Sequence, residues 1–96
     1  MTTPAPDSPI ALDLSREERW VAHHAVLARV ERDLDADDDP SEARELLRKL
    51  EEEDADYDAD ELRLMRDCLD SYLEDAPDRD AEPGRSALDS VELVLA

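Results

Sequence analysis

The sequence has little of several residue types on which catalytic and binding sites commonly depend. Its 96 residues include one glycine, Gly84, one cysteine, Cys68, and no phenylalanine. A single glycine excludes a phosphate-binding glycine loop and a dinucleotide fingerprint. A single cysteine excludes a disulfide framework within the chain and agrees with a reducing compartment. No apolar run reaches the roughly 18 residues of a membrane helix, and no signal-peptide pattern is present, so we expect a cytoplasmic protein without a membrane partner.

Basic residues are also scarce, since 11 Lys plus Arg, of which only Lys49 is lysine, stand against 29 Asp plus Glu. The formal net charge is -18. Carboxylates at this density repel one another in dilute buffer, whereas at about 1 M salt the Debye length is about 3 Å and most of that repulsion is screened. The composition is therefore typical of a halophilic protein. Nucleic acid is not an expected partner, because phosphate binding needs a local basic patch.

Large apolar residues recur at helical spacing, which predicts an ordered all-α fold rather than an acidic disordered tail. We expect a small antiparallel bundle of three to four helices. The prolines Pro4, Pro6 and Pro9 predict a flexible leader over residues 1–13, and residues 14–96 are expected to form a single helical domain. The predicted helices span about 16–34, 40–53, 59–76 and 86–95. A strand is the alternative for the last of them, and 78–84 is expected to be a loop.

Capping patterns define the helix starts. Ser15 with Glu18, and Asp58 with Glu61, have the spacing of capping boxes, and Asp39 before Pro40 is typical of a helix start. In the first helix, a spacing of three and four predicts a stripe that faces the core, formed by Trp20, His23, Leu27, Val30 and Leu34. In the second, Glu45 and Lys49 are expected to form an exposed ion pair.

The capped segment 14–20, the pair His23-His24, and the segment from Tyr57 to Pro77 resemble a family of small, acidic, helical haloarchaeal proteins that are uncharacterised. The resemblance covers most of residues 12–77. It implies a halophilic protein with a helical fold, and it implies no functional residue.

Candidate catalytic and metal-binding residues are few. His23 and His24 are adjacent and therefore point about 100° apart on a helix, and neither has a ligand three or four residues away. Cys68 lies on the flank of a buried stripe, and although His23 could approach it across a bundle as a base, the sequence offers no supporting third residue or oxyanion loop. We therefore predict that the protein is not an enzyme and holds no cofactor or metal, with a metal-binding protein kept as a further alternative.

The first predicted helix differs in charge from the rest of the chain. Residues 16–32 hold four arginines and three glutamates within a chain of net charge -18. Such a segment is either a central helix packed by the others or a contact helix, because a less charged surface is easier to desolvate on docking. We predict a protein-protein interaction or adaptor protein, which could be a homodimer, with a small transcriptional regulator as the alternative. The candidate interface residues are Arg16, Arg19, Trp20, His24 and Arg29.

Overall fold

A computed structural model describes residues 10–52 and 55–96. This part of the chain is mostly helical, with four helices and one two-stranded sheet, as the helical periodicity of the sequence predicted. The elements in chain order are β1 (Ile10–Ala11), α1 (Arg16–Asp35), α2 (Ser41–Leu50), β2 (Asp56–Tyr57), α3 (Ala59–Leu73) and α4 (Asp78–Leu95).

Both ends of α1 are closed by hydrogen bonds. The predicted capping box is present, since the Glu18 backbone N–H donates to Ser15 Oγ at 3.1 Å and the Ser15 N–H donates to Glu18 Oε1 at 2.7 Å. At the other end, Asp37 has a φ of 58°. The Asp38 N–H donates to the Asp33 carbonyl at 2.8 Å and the Asp37 N–H to the Leu34 carbonyl at 3.3 Å. These bonds form a Schellman motif, in which a residue other than glycine takes the left-handed position.

Helix α2 follows this turn. It begins at Ser41 with Pro40 at the N-cap position and no side-chain cap, so the predicted cap at Asp39 is wrong by one residue. The Asp39 carboxylate nevertheless accepts the Ser41 backbone N–H at 3.0 Å. The helix ends at Leu50, before the predicted residue 53. The predicted pair of Glu45 with Lys49 is wrong, because Arg48 contacts Glu45 at 2.7 Å instead.

Lys49 connects three elements. Its Nζ lies 2.7 Å from Glu61 Oε1 in α3, donates to the Asp56 carbonyl in β2 at 3.1 Å, and stands 5.9 Å from the centre of the Tyr57 ring. Glu61 also accepts the Asp58 N–H in the second predicted capping box, which is present. The only lysine of the chain therefore fixes the end of α2 against the start of α3.

The predicted leader over residues 1–13 is wrong at its end. Ile10 pairs with Tyr57 and Ala11 with Asp56 in an antiparallel ladder. Local composition did not indicate this strand, because its partner lies far away in the sequence. Residues 1–9 of that leader lie outside the described residues.

Helix α4 begins at Asp78, so the predicted loop over 78–84 and the predicted start at 86 are wrong. Pro83 lies inside the helix but removes only one backbone donor near its start, at a half-buried position. Gly84 is buried where α4 meets its neighbours: a Cβ there would lie 2.6 Å from a Leu73 methyl and 3.2 Å from a Val21 methyl. Close packing against α3 and α1 therefore explains why position 84 is a glycine within the helix.

The core lies between α1 and the three other helices, each of which α1 contacts. Its largest fully buried side chains are Leu46, Leu62, Met65 and Leu69. Tyr57 of β2 is buried with them, and Ile10 of β1 packs against the cluster. The short sheet thus covers one part of the helical core.

Candidate interaction surface

Three of the five residues predicted for the core side of α1 lie on its outer side, while Val30 is buried and His23 is partly buried. The exposed fractions are 61% for Trp20, 37% for Leu27 and 49% for Leu34. The buried side of α1 is formed by smaller residues: Val21, Ala22, Ala25, Val26 and Val30. Three helices approach α1 on this side, and small side chains allow that approach. The spacing argument placed Val30 correctly and the three bulkiest members wrongly.

The three exposed residues form a line along the helix. Seven residues make almost two turns of an α-helix, so each step rotates the side chain by only about 20° and advances it by about 10.5 Å. Trp20, Leu27 and Leu34 therefore share one face of α1, and we call this face the outer stripe. Among the described residues, the only other exposed large apolar side chain is Leu93 on α4, which is 77% exposed.

A groove of about 1030 Å³ surrounds the Trp20 end of the outer stripe. Four of the five candidate interface residues line it, namely Arg16, Arg19, Trp20 and His24. Its other walls come from the end of α2, from Tyr72 of α3 and from the start of α4. The groove is thus assembled from four helices and mixes arginines, an aromatic pair and carboxylates.

Side chains of α1 are held in place at this groove. The Trp20 and His24 rings, one helical turn apart, have centroids 4.6 Å apart. His23 Nε2 lies 3.5 Å from Glu51 Oε1 at the end of α2. Arg19 donates to the Glu52 carbonyl at 3.5 Å. His23 and Arg19 therefore attach α1 to α2, whereas Trp20 and His24 remain on the accessible side.

Arg29, the fifth candidate, lies elsewhere. Its Nε is 3.3 Å from Asp33 Oδ1, one turn along α1. It lines a different groove, together with Cys68 and Tyr72 of α3. The structure therefore separates Arg29 from the other four candidates, and adds Leu27 and Leu34 to the surface in its place. One feature of the sequence could have located Leu27 and Leu34. Helix α1 has two apolar faces, and only one of them can pack against the core of so small a chain.

Cys68 and the potential metal ligands are the other groups of the described residues with chemical potential. Cys68 is buried, and this burial raises the pKa of its thiol to about 11. A thiol with such a pKa is almost entirely protonated at neutral pH and a poor nucleophile. Within residues 10–52 and 55–96, no three His, Cys, Asp or Glu side chains are grouped so that they could hold a metal ion.

The fold and the surface together define the class of this protein. It is a small helical protein with an accessible apolar stripe on its central helix. No helix in the described ranges has the length and apolar character needed to cross a membrane. The chain belongs to a family of unknown function, DUF7853, whose model matches residues 12–92. No curated protein and no solved structure gives a significant match.

Proposed function

We propose that this protein is a non-enzymatic interaction or adaptor protein that docks another protein chain on the outer stripe of α1. The observation that carries the proposal is the clustering of exposed apolar residues. Three of the four large ones on the described part of the chain stand in line on one helix. Scattered single apolar residues are ordinary on a protein surface, whereas three large ones aligned on one helix face make that face a candidate for binding.

The composition of the stripe also supports docking. Trp20 is the only tryptophan of the chain and is 61% exposed. Tryptophan is enriched among residues that dominate binding energy, because it buries a large area and has few rotatable bonds. Leu27 and Leu34 extend the apolar area by about 21 Å along the helix.

Charge supports docking at the Trp20 end of the same face. Residues 16–32 carry four arginines and three glutamates, whereas the whole chain carries a net charge of -18. Docking requires the removal of water from charged groups, which is costly for crowded carboxylates. We propose that the protein works in the concentrated salt of a haloarchaeal cytoplasm, where the charge elsewhere on the chain is screened.

The regulator alternative has less support. The arginines of α3 already contact carboxylates, with Arg63 3.0 Å from Asp60 and Arg66 3.8 Å from Asp67. Residues 51–58 between α2 and α3 contain β2 and exceed the three- or four-residue turn of a helix-turn-helix. We infer in addition that α1 and α2, and likewise α3 and α4, run antiparallel, since their connections are short.

The test compares tagged variants in extract of the host, held at multimolar KCl. The double variant Leu27→Glu/Leu34→Glu should lose the proteins that the wild type retains, including a differently tagged second copy. Leu93→Glu is the matched control, because it places the same charge at an exposed leucine of another helix, and it should retain them. Identical sets of retained proteins in all three samples would refute the proposal.

A further inference from the structure

The two ends of α1 differ in charge. At the start, Arg16 and Arg19 are balanced by Glu17 and Glu18, whereas at the end Arg32 is outnumbered by Asp33, Asp35, Asp37 and Asp38. The outer stripe connects the two ends, so a partner that runs in the opposite direction and has the same polarity would set its acidic end against the balanced end with its arginines, and not against the other acidic end. Charge complementarity of this kind selects partners and their orientation.

The outer stripe is also symmetric about its middle residue. Trp20 and Leu34 are each seven residues from Leu27. A two-fold axis at Leu27 would place Trp20 of one copy against Leu34 of the other, and Leu27 against itself. The same axis would place His24 close to Glu31 and Arg16 close to Asp38. A two-fold interface requires one patch that is complementary to itself, and the outer stripe meets that requirement.

Two α1 helices packed in parallel would be less complementary to each other. In that register each residue faces its own copy, so Glu31 would face Glu31, Asp35 would face Asp35 and Arg16 would face Arg16. The acidic ends of two helices, where the helix dipoles are also negative, would lie side by side. Antiparallel packing removes these contacts and sets the two dipoles in opposite directions.

We propose that the occupant of the outer stripe is a second copy of this chain, docked antiparallel along α1 with Leu27 on the two-fold axis. This inference rests on the proposed function, because it uses the same face and names its partner. Glu17, next to Arg16, faces the same acidic end of the partner. Assembly should therefore strengthen as salt is raised, since screening weakens this repulsion while the apolar contacts remain.

Sedimentation velocity of the purified full chain in multimolar KCl tests the dimer. The wild type should change from monomer to dimer as its concentration increases. Leu27→Glu should raise the dissociation constant by about 30-fold or more, the effect of losing a central contact, while Leu93→Glu should leave it unchanged. A wild type that stays monomeric, or two variants that weaken assembly equally, would overturn the proposal. Leu27 is exposed, and circular dichroism verifies that each variant is folded.

Cross-linking tests the direction of packing. In a Cys68→Ala background, Leu27→Cys should link two copies through a short bis-maleimide, because both thiols lie at the axis. Leu34→Cys should not, since the two positions would be separated by about 21 Å along the helices. A mixture of Trp20→Cys and Leu34→Cys chains should link one to the other. Efficient linkage of Leu34→Cys to itself would show a parallel register and overturn the antiparallel one.

A charge exchange tests the register independently, at the lowest salt in which the chain stays folded. Arg16→Glu alone should raise the dissociation constant about two- to fivefold, as expected for an exposed ion pair. The double variant Arg16→Glu/Asp38→Arg should return it toward the wild-type value. A double variant as weak as the single one would contradict the contact between the two helix ends.

Failure of this inference and failure of the proposed function give different results. A monomeric wild type whose Leu27→Glu/Leu34→Glu variant still loses a protein from extract would refute the second copy as occupant and retain the docking face. A monomeric wild type with no difference between variants in extract would refute both.

Discussion

The two apolar faces of α1 have opposite distributions of side-chain size. The buried face has alanine and valine, as at Ala22 and Val26, while the accessible face has Trp20, Leu27 and Leu34. A helix contacted by three others must be thin on the side where they approach, since interiors are close-packed and extra volume is destabilising. Bulk on the other side lies outside the buried core of the chain. Side-chain size, rather than apolar character, therefore distinguishes the face that folds the chain from the face offered to a partner.

The strongest test of this contrast uses two adjacent residues of α1. Val26 is fully buried and Leu27 is 37% exposed. Val26→Asp should lower the free energy of unfolding by more than about 4 kcal/mol, because it buries a charge without a partner. Leu27→Asp should lower it by only about 1–2 kcal/mol in the monomer, because the side chain is partly covered but the new carboxylate can reach water. Thermal unfolding followed by circular dichroism at low protein concentration measures both, and equal losses would contradict the assignment of the two faces.

The next largest change in unfolding free energy is expected when one alanine on each face of α1 is enlarged. Ala22 is fully buried and Ala28 is exposed. Ala22→Leu should cost about 1–3 kcal/mol of unfolding free energy, because the neighbouring helices must move apart. Ala28→Leu adds the same atoms in the same helix and serves as the matched control, with little change expected. A stable Ala22→Leu protein would show that the buried face has room the structure does not indicate.

Titration of Cys68 examines the buried side with a different probe. Burial raises the pKa of this thiol from 9.0 to about 11, so the folded protein holds its proton at pH values where the unfolded chain has lost it. Stability from this group is complete below about pH 9 and falls by about 2 kcal/mol as the pH rises toward 11. Burial also raises the pKa of Tyr57 and Tyr72, which lowers stability in the same direction.

The control for that titration is Cys68→Ala, which keeps both tyrosines. The difference in unfolding free energy between wild type and variant should therefore shrink between pH 9 and 11, whatever the variant costs at neutral pH. A constant difference across this range would mean that the folded chain does not protect the thiol. Maleimide labelling at pH 8 should likewise be slow at native Cys68 and fast at Leu27→Cys in the Cys68→Ala background.

Sequence reasoning found the features that depend on neighbouring residues. The two capping boxes, at Ser15 and Asp58, are present because a cap is a contact over three residues. Sequence reasoning missed the features that depend on residues far apart in the chain. The strand at Ile10 needs Tyr57, and the helix through Pro83 and Gly84 needs the approach of α4 to Val21.

Only part of the candidate surface was predicted, again because sequence reasoning detects local features and not distant contacts. Charge contrast is local in sequence, so it selected Arg16, Arg19, Trp20 and His24, which the structure brings to one groove. Which of two apolar faces points outward depends on where the other helices pack, and no periodicity within α1 contains that information. Leu27 and Leu34 were therefore assigned to the core.

The smallest predicted effect concerns the turn that ends α1 and, with it, the outer stripe. Asp37 has a φ of 58°, a region that glycine enters without the steric cost of a Cβ. Asp37 also places a negative charge at the negative end of the helix dipole. Asp37→Gly should therefore raise the unfolding free energy by about 0.5–1 kcal/mol. Asp38→Gly removes the same charge at a neighbour without positive φ, so a larger gain there than at Asp37 would contradict the role of backbone strain in this turn.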